Sequence, residues 1–295
     1  MQLRVALRTG LKNLLEHHVP SANLAAELLL MHLLHEERAY LYTHPDLELS
    51  DEQVEAYGRL IEERASGRPT QYITGHQEFW GLDFEVNSAV LIPRPETEHI
   101  VEAVLDLISG RGLPRDEHYR IVDVGTGSGC IAVALASELP RASVFATDIS
   151  PAALEVAARN AARLGMEKRV EFVEGDLLAP FLDTPFLGTF DFVVSNPPYV
   201  AHAERENVQR EVRDFEPRLA WGDLAQGEEI YGRLFPQALR VLKPGGYAAV
   251  EIGYNKKEAV LQLLNAGWTE AKTLPDLAGI PRVVTARKKG LGVRD

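Results

Sequence analysis

The sequence is poor in the residues that build disulfides and metal centres. Cys130 is the single cysteine among 295 residues. An intramolecular disulfide is therefore excluded. Because no Cys or His cluster has the spacing of metal ligands, metal chemistry is not expected either.

Long apolar runs are missing as well. None reaches the roughly 18 residues that a membrane-spanning helix requires. The N-terminal stretch MQLRVALRTGLKNLLEHH alternates charge with leucine in a helical rhythm and lacks the pattern of a signal peptide. We therefore expect no membrane partner and a cytoplasmic location.

Basic charge is scarce relative to acidic charge. The chain has 31 Lys and Arg against 43 Asp and Glu, which gives a net charge of -12 at pH 7. Proteins that bind nucleic acid mainly through its phosphates carry the opposite sign. DNA is not expected as a partner, although a local basic patch is compatible with this net charge.

The N-terminal region has the pattern of amphipathic helices. Its leucines recur at intervals of three and four residues. They are Leu3, Leu7, Leu11, Leu14, Leu15, Leu24, Leu28, Leu29 and Leu33. Ser50 and Gln53 match a capping box that opens a further helix. We predict that residues 1–68 form a small helical domain that docks the substrate, with structural support as the alternative.

Two different residue patterns follow in the remainder of the chain. Residues 69–96 carry β-branched and aromatic residues broken by glycines, which predicts a β-hairpin linker. Residues 97–295 alternate apolar strands with helices, which predicts an α/β domain with a doubly wound parallel sheet. The predicted strands are 120–124, 143–147, 169–173, 190–194 and 247–252, and the helices lie near 129–138, 152–164, 229–242 and 256–265. A last strand-like run at 282–286 suggests an antiparallel hairpin at the sheet edge.

A glycine-rich loop follows the first of these strands. It consists of Gly125, Thr126, Gly127, Ser128 and Gly129 and leads into a helix. Glycines let the backbone turn sharply and approach a ligand, and the helix N-terminus offers free N–H groups. The spacing is G-x-G-x-G and not the dinucleotide pattern G-x-G-x-x-G, so we predict a cofactor with an amino-acid tail and no pyrophosphate. A plain strand-to-helix turn is the alternative.

Acidic residues end the next two strands. The Asp148 carboxylate can accept hydrogen bonds from both hydroxyls of a ribose, and Asp176 can meet the amino group of adenine. Each aspartate can alternatively be a helix cap. Together with the loop they mark three successive strand ends, where open α/β sheets bind ligands. S-adenosylmethionine fits this pattern better than NAD.

The fourth strand ends in Asn196-Pro197-Pro198-Tyr199, which predicts a substrate site. The prolines make this segment rigid and leave its carbonyls unpaired. The Asn196 side-chain oxygen and the Pro197 carbonyl can accept the two N–H hydrogens of a planar amino group, and Tyr199 can pack on its flat face. We expect catalysis by positioning and charge complementarity from Asn196, Pro197 and Tyr199, without a general base. An exposed turn is the alternative.

These motifs resemble those of class I S-adenosylmethionine-dependent methyltransferases, which have a Rossmann-like doubly wound sheet and would in this case act on a planar nitrogen. The stretches PTQYITGHQEFWG, VLIPRPETE and EPRLA are similar to the PrmC/HemK family of glutamine methyltransferases, and the likeness covers nearly the full chain. The family's substrate is the glutamine of the Gly-Gly-Gln motif in class 1 peptide chain release factors.

The resemblance also implies roles for particular residues. Gly125 to Gly129, Asp148, Leu177 and Asn196 would contact the cofactor, and Asn196 to Tyr199, Pro198 included, would hold the glutamine. Ile92 to Glu98 would line the site or only brace the domains. The alternatives are a PrmB-like methyltransferase of a ribosomal-protein glutamine, a nucleic-acid amino-group methyltransferase and a non-catalytic module that binds the cofactor or a protein.

Overall fold

The structure is a computed structural model that describes residues 1–290. The chain divides into two compact units. The first comprises Met1–His76 and Gln209–Phe215, and the second comprises Gln77–Val208 and the described residues from Glu216 onward. Residues 291–295, the end of the predicted catalytic domain, lie outside the described range.

The α-helices are numbered in chain order. They are α1 Leu3–Glu16, α2 Ala22–Leu34, α3 Arg38–Thr43, α4 Asp51–Ala65, α5 Thr70–Thr74, α6 Glu98–Ser109, α7 Cys130–Glu138, α8 Pro151–Arg163, α9 Arg210–Phe215, α10 Arg218–Trp221, α11 Glu229–Val241 and α12 Lys257–Gln262. Short 3-10 helices cover Pro95–Thr97, Ala179–Phe181 and His202–Asn207.

The strands are numbered in the same way. They are β1 His76–Phe79, β2 Leu82–Glu85, β3 Arg120–Val124, β4 Ser143–Asp148, β5 Val170–Glu174, β6 Phe190–Ser195, β7 Val200–Ala201, β8 Gly222–Leu224, β9 Leu242–Glu251, β10 Trp268–Pro275 and β11 Pro281–Lys288.

The first unit is helical and has its own apolar core. Leu3, Leu14, Leu29 and Leu30 are fully buried in it, together with residues of α4. Helix α4 begins with the predicted capping box. The Ser50 side chain accepts from the Gln53 backbone N–H, and the Gln53 side-chain oxygen accepts from the Ser50 backbone N–H. The unit also contains α9, a segment far along the chain that the leucine pattern did not predict.

The segment predicted as a hairpin linker is only partly a hairpin. Residues 70–74 form α5, and β1 and β2 pair over a turn in which Trp80 and Gly81 have positive φ. The buried side chain of Asn160 in α8 holds β2 in place, because it accepts from the Glu85 N–H at 2.7 Å and donates to the Glu85 carbonyl at 3.0 Å.

A seven-stranded sheet forms the centre of the second unit, in the order β10-β11-β9-β6-β3-β4-β5. Strands β9, β6, β3, β4 and β5 are parallel, and β11 pairs antiparallel with both β9 and β10. Strand order reverses between β3 and β6, which is where doubly wound sheets open a crevice for a ligand. The predicted α/β fold, with its antiparallel edge, is confirmed.

Helices cover both faces of this sheet. One apolar cluster contains buried residues of α6 and α7, and the other contains buried residues of α11. All six residues of β6 are buried, as expected for a central parallel strand. Across residues 1–290, no helix combines the length and the apolar character needed to cross a membrane.

Alanine substitutions at two glycines of the helical unit test how tightly its helices pack. A Cβ added at Gly10 in α1 would lie 2.6 Å from the Tyr57 hydroxyl oxygen and 2.9 Å from Ile61 Cδ1, whereas one at Gly58 in α4 would meet nothing within 4 Å. Both changes to alanine raise helix propensity by about 1 kcal/mol. Gly58→Ala should therefore stabilise the protein, and Gly10→Ala should destabilise it because overpacking costs about 1–3 kcal/mol.

The measurement is thermal unfolding of the full chain for both variants. A Gly10→Ala protein as stable as Gly58→Ala would contradict the described contact between α1 and α4.

Candidate active site

A cavity of about 350 Å³ opens at the carboxyl ends of the parallel strands in the second unit. Such a volume suits a small-molecule ligand. The sequence-predicted site residues that line it are Gly125, Thr126, Gly127, Ser128, Asp148, Asp176, Leu177, Asn196, Pro197 and Pro198. The ends of β3, β4, β5 and β6 thus bring together residues that are far apart in the chain.

Backbone hydrogen bonds to β4 hold the glycine loop, and two of its glycines face open space. The N–H groups of Gly125 and Thr126 donate to the Thr147 carbonyl at 2.8 and 2.9 Å. Gly125 and Gly127 have φ values of 72° and 55°, and no atom lies within 4 Å of where a Cβ would stand. Gly129 serves packing, because its Cβ would lie 3.1 Å from Ala157 Cβ. The loop can therefore receive a ligand against its backbone.

Asp148 is fixed in place and retains capacity for further hydrogen bonds. Its Oδ2 accepts from the Gly127 N–H and its Oδ1 from the Ser150 N–H, both at 2.9 Å. Burial raises the pKa of this carboxyl, against those backbone bonds, which lower it. Because a carboxylate offers about four lone-pair sites, both oxygens can also accept from a diol.

Asp176 and Leu177 form a different part of the wall. The Asp176 carboxylate pairs with Arg233 of α11. Leu177 has a φ of 55°, a left-handed conformation that is uncommon for a leucine. Both residues line the cavity, where Leu177 offers an apolar contact beside an acid.

Asp123 supports the loop from inside the protein and was not predicted as a site residue. It is fully buried near the end of β3, and its Oδ2 accepts from the Thr126 hydroxyl at 2.6 Å. Desolvation raises the pKa of Asp123 to about 7. An acid just before a glycine loop was the signal in the sequence.

The end of β6 lies beside this loop. The Ser195 hydroxyl donates to the Val124 carbonyl at 2.7 Å, which joins the last residues of β6 and β3. Asn196, Pro197 and Pro198 then enter the cavity wall. Proline has no N–H, so this backbone offers acceptors and no donors at the two prolines where the strand stops.

Thr97 and Glu251 orient the Asn196 side chain, and the sequence analysis did not connect either residue with Asn196. Asn196 Nδ2 donates to Thr97 Oγ1 at 3.0 Å, and the Thr97 hydroxyl donates to Glu251 Oε2 at 2.6 Å. Glu251 is the last residue of β9, the strand next to β6. An acid at the end of another parallel strand was the available signal.

Tyr199 has a setting different from the one predicted. Within the described part of the chain it is not among the cavity-lining residues. Its ring packs against the apolar cluster under α11, and its hydroxyl donates to Glu251 Oε1 at 3.4 Å. Burial raises its pKa, so the phenol stays protonated at neutral pH.

The segment from Ile92 to Glu98 both lines the cavity and braces it. Pro93, Arg94 and Thr97 belong to the lining. The Arg94 guanidinium pairs with Glu216, whose other oxygen accepts from the Ile92 N–H at 3.2 Å. Glu216 begins the EPRLA stretch, so this ion pair holds two parts of the rim together.

Part of the rim is apolar and exposed to solvent. Pro217, Leu219 and Ala220 line the cavity, and Leu219 is 72% exposed. Among the side chains that the structure describes, no group of three or more His, Cys, Asp or Glu is placed to hold a metal ion.

These features fit S-adenosylmethionine. The glycine loop has room for a ligand at its backbone, Asp148 has free lone pairs for ribose hydroxyls, and Ile149 and Leu177 supply apolar wall for a purine. The cofactor would thus be held by residues from the ends of β3, β4 and β5, with its reactive end toward Asn196.

Asp148→Asn tests this cofactor site. The amide has one acceptor oxygen in place of two, so hydrogen bonds to a charged group worth about 1.5–3 kcal/mol are lost. We expect S-adenosylmethionine to bind about 10- to 100-fold more weakly in calorimetry. Asp183→Asn, at a side chain that is 94% exposed, is the control and should bind like the unaltered protein. Equal affinity for the two variants would count against Asp148 as a cofactor ligand.

The chain matches two protein-family models. Residues 6–75 match the PrmC N-terminal domain, and residues 88–219 match the methyltransferase small domain. Among solved structures, the N-terminal domain of human METTL16 is similar in fold, with a TM-score of 0.53 at 18% identity over 89% of this chain and 94% of that one.

Curated relatives match over almost the whole chain. The release factor glutamine methyltransferase of Koribacter versatilis is 50% identical over 98% of this chain and 99% of its own length. That of Moorella thermoacetica is 43% identical over 98% of this chain and 99% of its own length. The resemblance inferred from the motifs is confirmed, and the chain belongs to the release factor glutamine methyltransferase family.

Proposed function

We propose that this protein transfers a methyl group from S-adenosylmethionine to the side-chain amide nitrogen of the glutamine in the Gly-Gly-Gln motif of class 1 peptide chain release factors. The observation that carries the proposal is the position of Asn196. Its amide enters the wall of the cofactor cavity, and its Nδ2 is already bonded to Thr97. Its Oδ1 is thereby left to accept from a substrate.

The chemistry of the substrate explains why acceptors are needed. S-adenosylmethionine supplies an electrophilic methyl group on a sulfonium sulfur. An amide nitrogen is a weak nucleophile because its lone pair is delocalised into the carbonyl. Asn196 Oδ1 and the Pro197 carbonyl can bind its two N–H groups, which orients the lone pair and favours positive charge on nitrogen.

The acids near Asn196 are unsuited to remove a proton before transfer. Of the described lining residues, Asp148 and Asp176 are the carboxylates. Asp148 accepts two backbone N–H groups, and Asp176 pairs with Arg233. Glu251 reaches Asn196 only through the Thr97 hydroxyl. We therefore propose that the proton leaves after the methyl group has been transferred.

We further propose that the helical unit docks the release factor. Its own core leaves Val5, Leu15 and Leu24 between 45% and 58% exposed, which is apolar surface for a protein partner. The relatives from Koribacter versatilis and Moorella thermoacetica align with this chain over 99% of their length, so the alignment includes this unit.

Since release factors act in translation, the expected location is the cytoplasm.

The proposal is tested by methyl transfer from labelled S-adenosylmethionine to several substrates in parallel. They are an unmodified class 1 release factor, the same factor with its Gly-Gly-Gln glutamine replaced, a short Gly-Gly-Gln peptide, a ribosomal-protein fraction and unmethylated DNA. We expect label on the intact factor, and more slowly on the peptide because it lacks the docking surface.

Label on DNA, or on the factor without its glutamine, would contradict the proposed substrate. Label on a ribosomal protein alone would favour the other class of glutamine methyltransferase. A peptide methylated as fast as the intact factor would contradict docking by the helical unit.

Asn196→Ala tests the role of the acceptor. We expect the rate of methyl transfer to fall by about 100-fold or more, as when one preorganised group at a reacting centre is lost. The control is Asn265→Ala, in an exposed turn between α12 and β10. Normal transfer by Asn196→Ala with cofactor bound would disprove the proposed mechanism.

A further inference from the structure

We propose that Thr97 and Glu251 are positioning residues that determine which end of the Asn196 side-chain amide faces the reacting nitrogen. This inference rests on the proposed function, because it concerns the orientation of the acceptor used in that reaction.

A buried chain of hydrogen bonds runs behind Asn196. Thr97 lies between the other two side chains, 3.0 Å from Asn196 Nδ2 and 2.6 Å from Glu251 Oε2. Thr97 is 2% exposed and Glu251 is 3% exposed, so water does not compete for these bonds. The Glu251 backbone carbonyl is itself held by the Tyr231 hydroxyl at 2.9 Å.

The direction of these bonds follows from the ionised carboxylate. A carboxylate only accepts, so the Thr97 hydroxyl must donate its single hydrogen to Glu251. Toward Asn196 the Thr97 oxygen can then only accept. The Asn196 NH₂ group must face Thr97, and its oxygen must face the other way.

This constraint matters because the two ends of an asparagine amide have almost the same shape. If the amide turned over, it would present N–H donors to the N–H groups of the substrate, which repels them. An asparagine without a partner that only accepts would occupy both orientations. Glu251, acting through Thr97, selects the orientation that accepts from the glutamine.

The carboxyl of Glu251 titrates in the physiological range. Burial raises the pKa of Glu251 to about 7, with a further increase from Glu96, while Thr97, Tyr199 and Arg282 lower it. Tyr231 of α11 and Cys130 of α7 are further ionisable groups that interact with it. Since the raised pKa belongs to an acid, the ionised form is present above about pH 7 and is lost as the pH falls below it.

Protonation has a definite consequence for the chain. A neutral Glu251 can donate to Thr97, which lets the Thr97 hydroxyl donate to Asn196 and turns the Asn196 oxygen away from the substrate. Methyl transfer should therefore decline on the acid side with an apparent pKa near that of Glu251. Neither the sulfonium of the cofactor nor the amide of the substrate ionises there, so comparison with Glu251→Gln shows whether the decline belongs to Glu251.

Three variants separate orientation from structural support. Thr97→Val keeps the branched shape but removes the hydroxyl, and we expect kcat at pH 8 to fall about tenfold or more with the affinity for S-adenosylmethionine unchanged. Thr97→Ser restores the hydroxyl and should recover most of the rate. Thr285→Val removes the hydroxyl of another buried threonine, on β11, and should leave kcat unchanged.

Glu251→Gln tests the direction of the chain through the pH profile. A glutamine does not ionise and can face Thr97 with either end of its amide, so kcat should be lower than that of the unaltered protein at pH 8 but should lose its acid limb. In the protein without substrate, the ¹⁵N signal of the Asn196 side-chain NH₂ should titrate near pH 7 and stop titrating in Glu251→Gln. The signal is assigned by its absence from Asn196→Asp.

The outcomes are distinct from those of the proposed function. Equal rates for Thr97→Val and Thr97→Ser, or an unchanged acid limb in Glu251→Gln, would overturn the positioning roles even if the release factor is the substrate. If Thr97→Val does not fold, the pH profile and the NMR titration of Glu251→Gln decide the question. Failure of the unaltered protein to methylate a release factor would overturn the proposed function, while the NMR titration would still test the hydrogen-bond chain.

Discussion

The bond from the Ser195 hydroxyl to the Val124 carbonyl is the contact on which the site depends. It measures 2.7 Å, is buried, and joins the last residue of β6 to the last residue of β3. Beyond Val124 the chain becomes the glycine loop, and beyond Ser195 it becomes Asn196 and two prolines. Strand order reverses between these two strands, so the cofactor loop and the substrate acceptors begin side by side.

Hydrogen bonds at the carboxyl edge of the sheet fix the orientation of the groups that line the site. The Thr147 carbonyl holds the glycine loop, and Asp148 is held by backbone N–H groups. Thr97 and Glu251 hold Asn196. Catalysis by positioning requires such preorganisation, because an unheld acceptor would have to be ordered during the reaction itself. Burial of Asp123 and Glu251, which raises both pKa values, is the electrostatic cost of this arrangement.

Local patterns in the sequence predicted most of the sheet and one side of the site. Apolar runs bounded by polar residues placed β3, β4, β5, β6 and β9, because buried parallel strands carry little else. The glycine loop and Asn196-Pro197-Pro198 were recognisable because their chemistry is contiguous in the chain. Asp148 and Asp176 could be assigned to the same edge because both stand at strand ends.

Long-range contacts could not be predicted in this way. Thr97 and Glu251 meet across 154 residues, and no local pattern pairs them. The setting of Tyr199 depends on that same acid. In the helical unit, leucine spacing assigned Leu15 to the apolar face with Leu14, yet Leu15 is 58% exposed, since adjacent helical positions point about 100° apart. The segment Gln209–Phe215 joins that unit only through the fold.

The most direct test of this mechanism is a crystal structure of the protein with S-adenosylhomocysteine and a peptide that contains the Gly-Gly-Gln motif. We predict that the glutamine amide nitrogen lies within hydrogen-bonding distance of both Asn196 Oδ1 and the Pro197 carbonyl oxygen, and that it points toward the cofactor sulfur. A glutamine bound elsewhere, or one whose amide nitrogen faces Asn196 Nδ2, would contradict the mechanism.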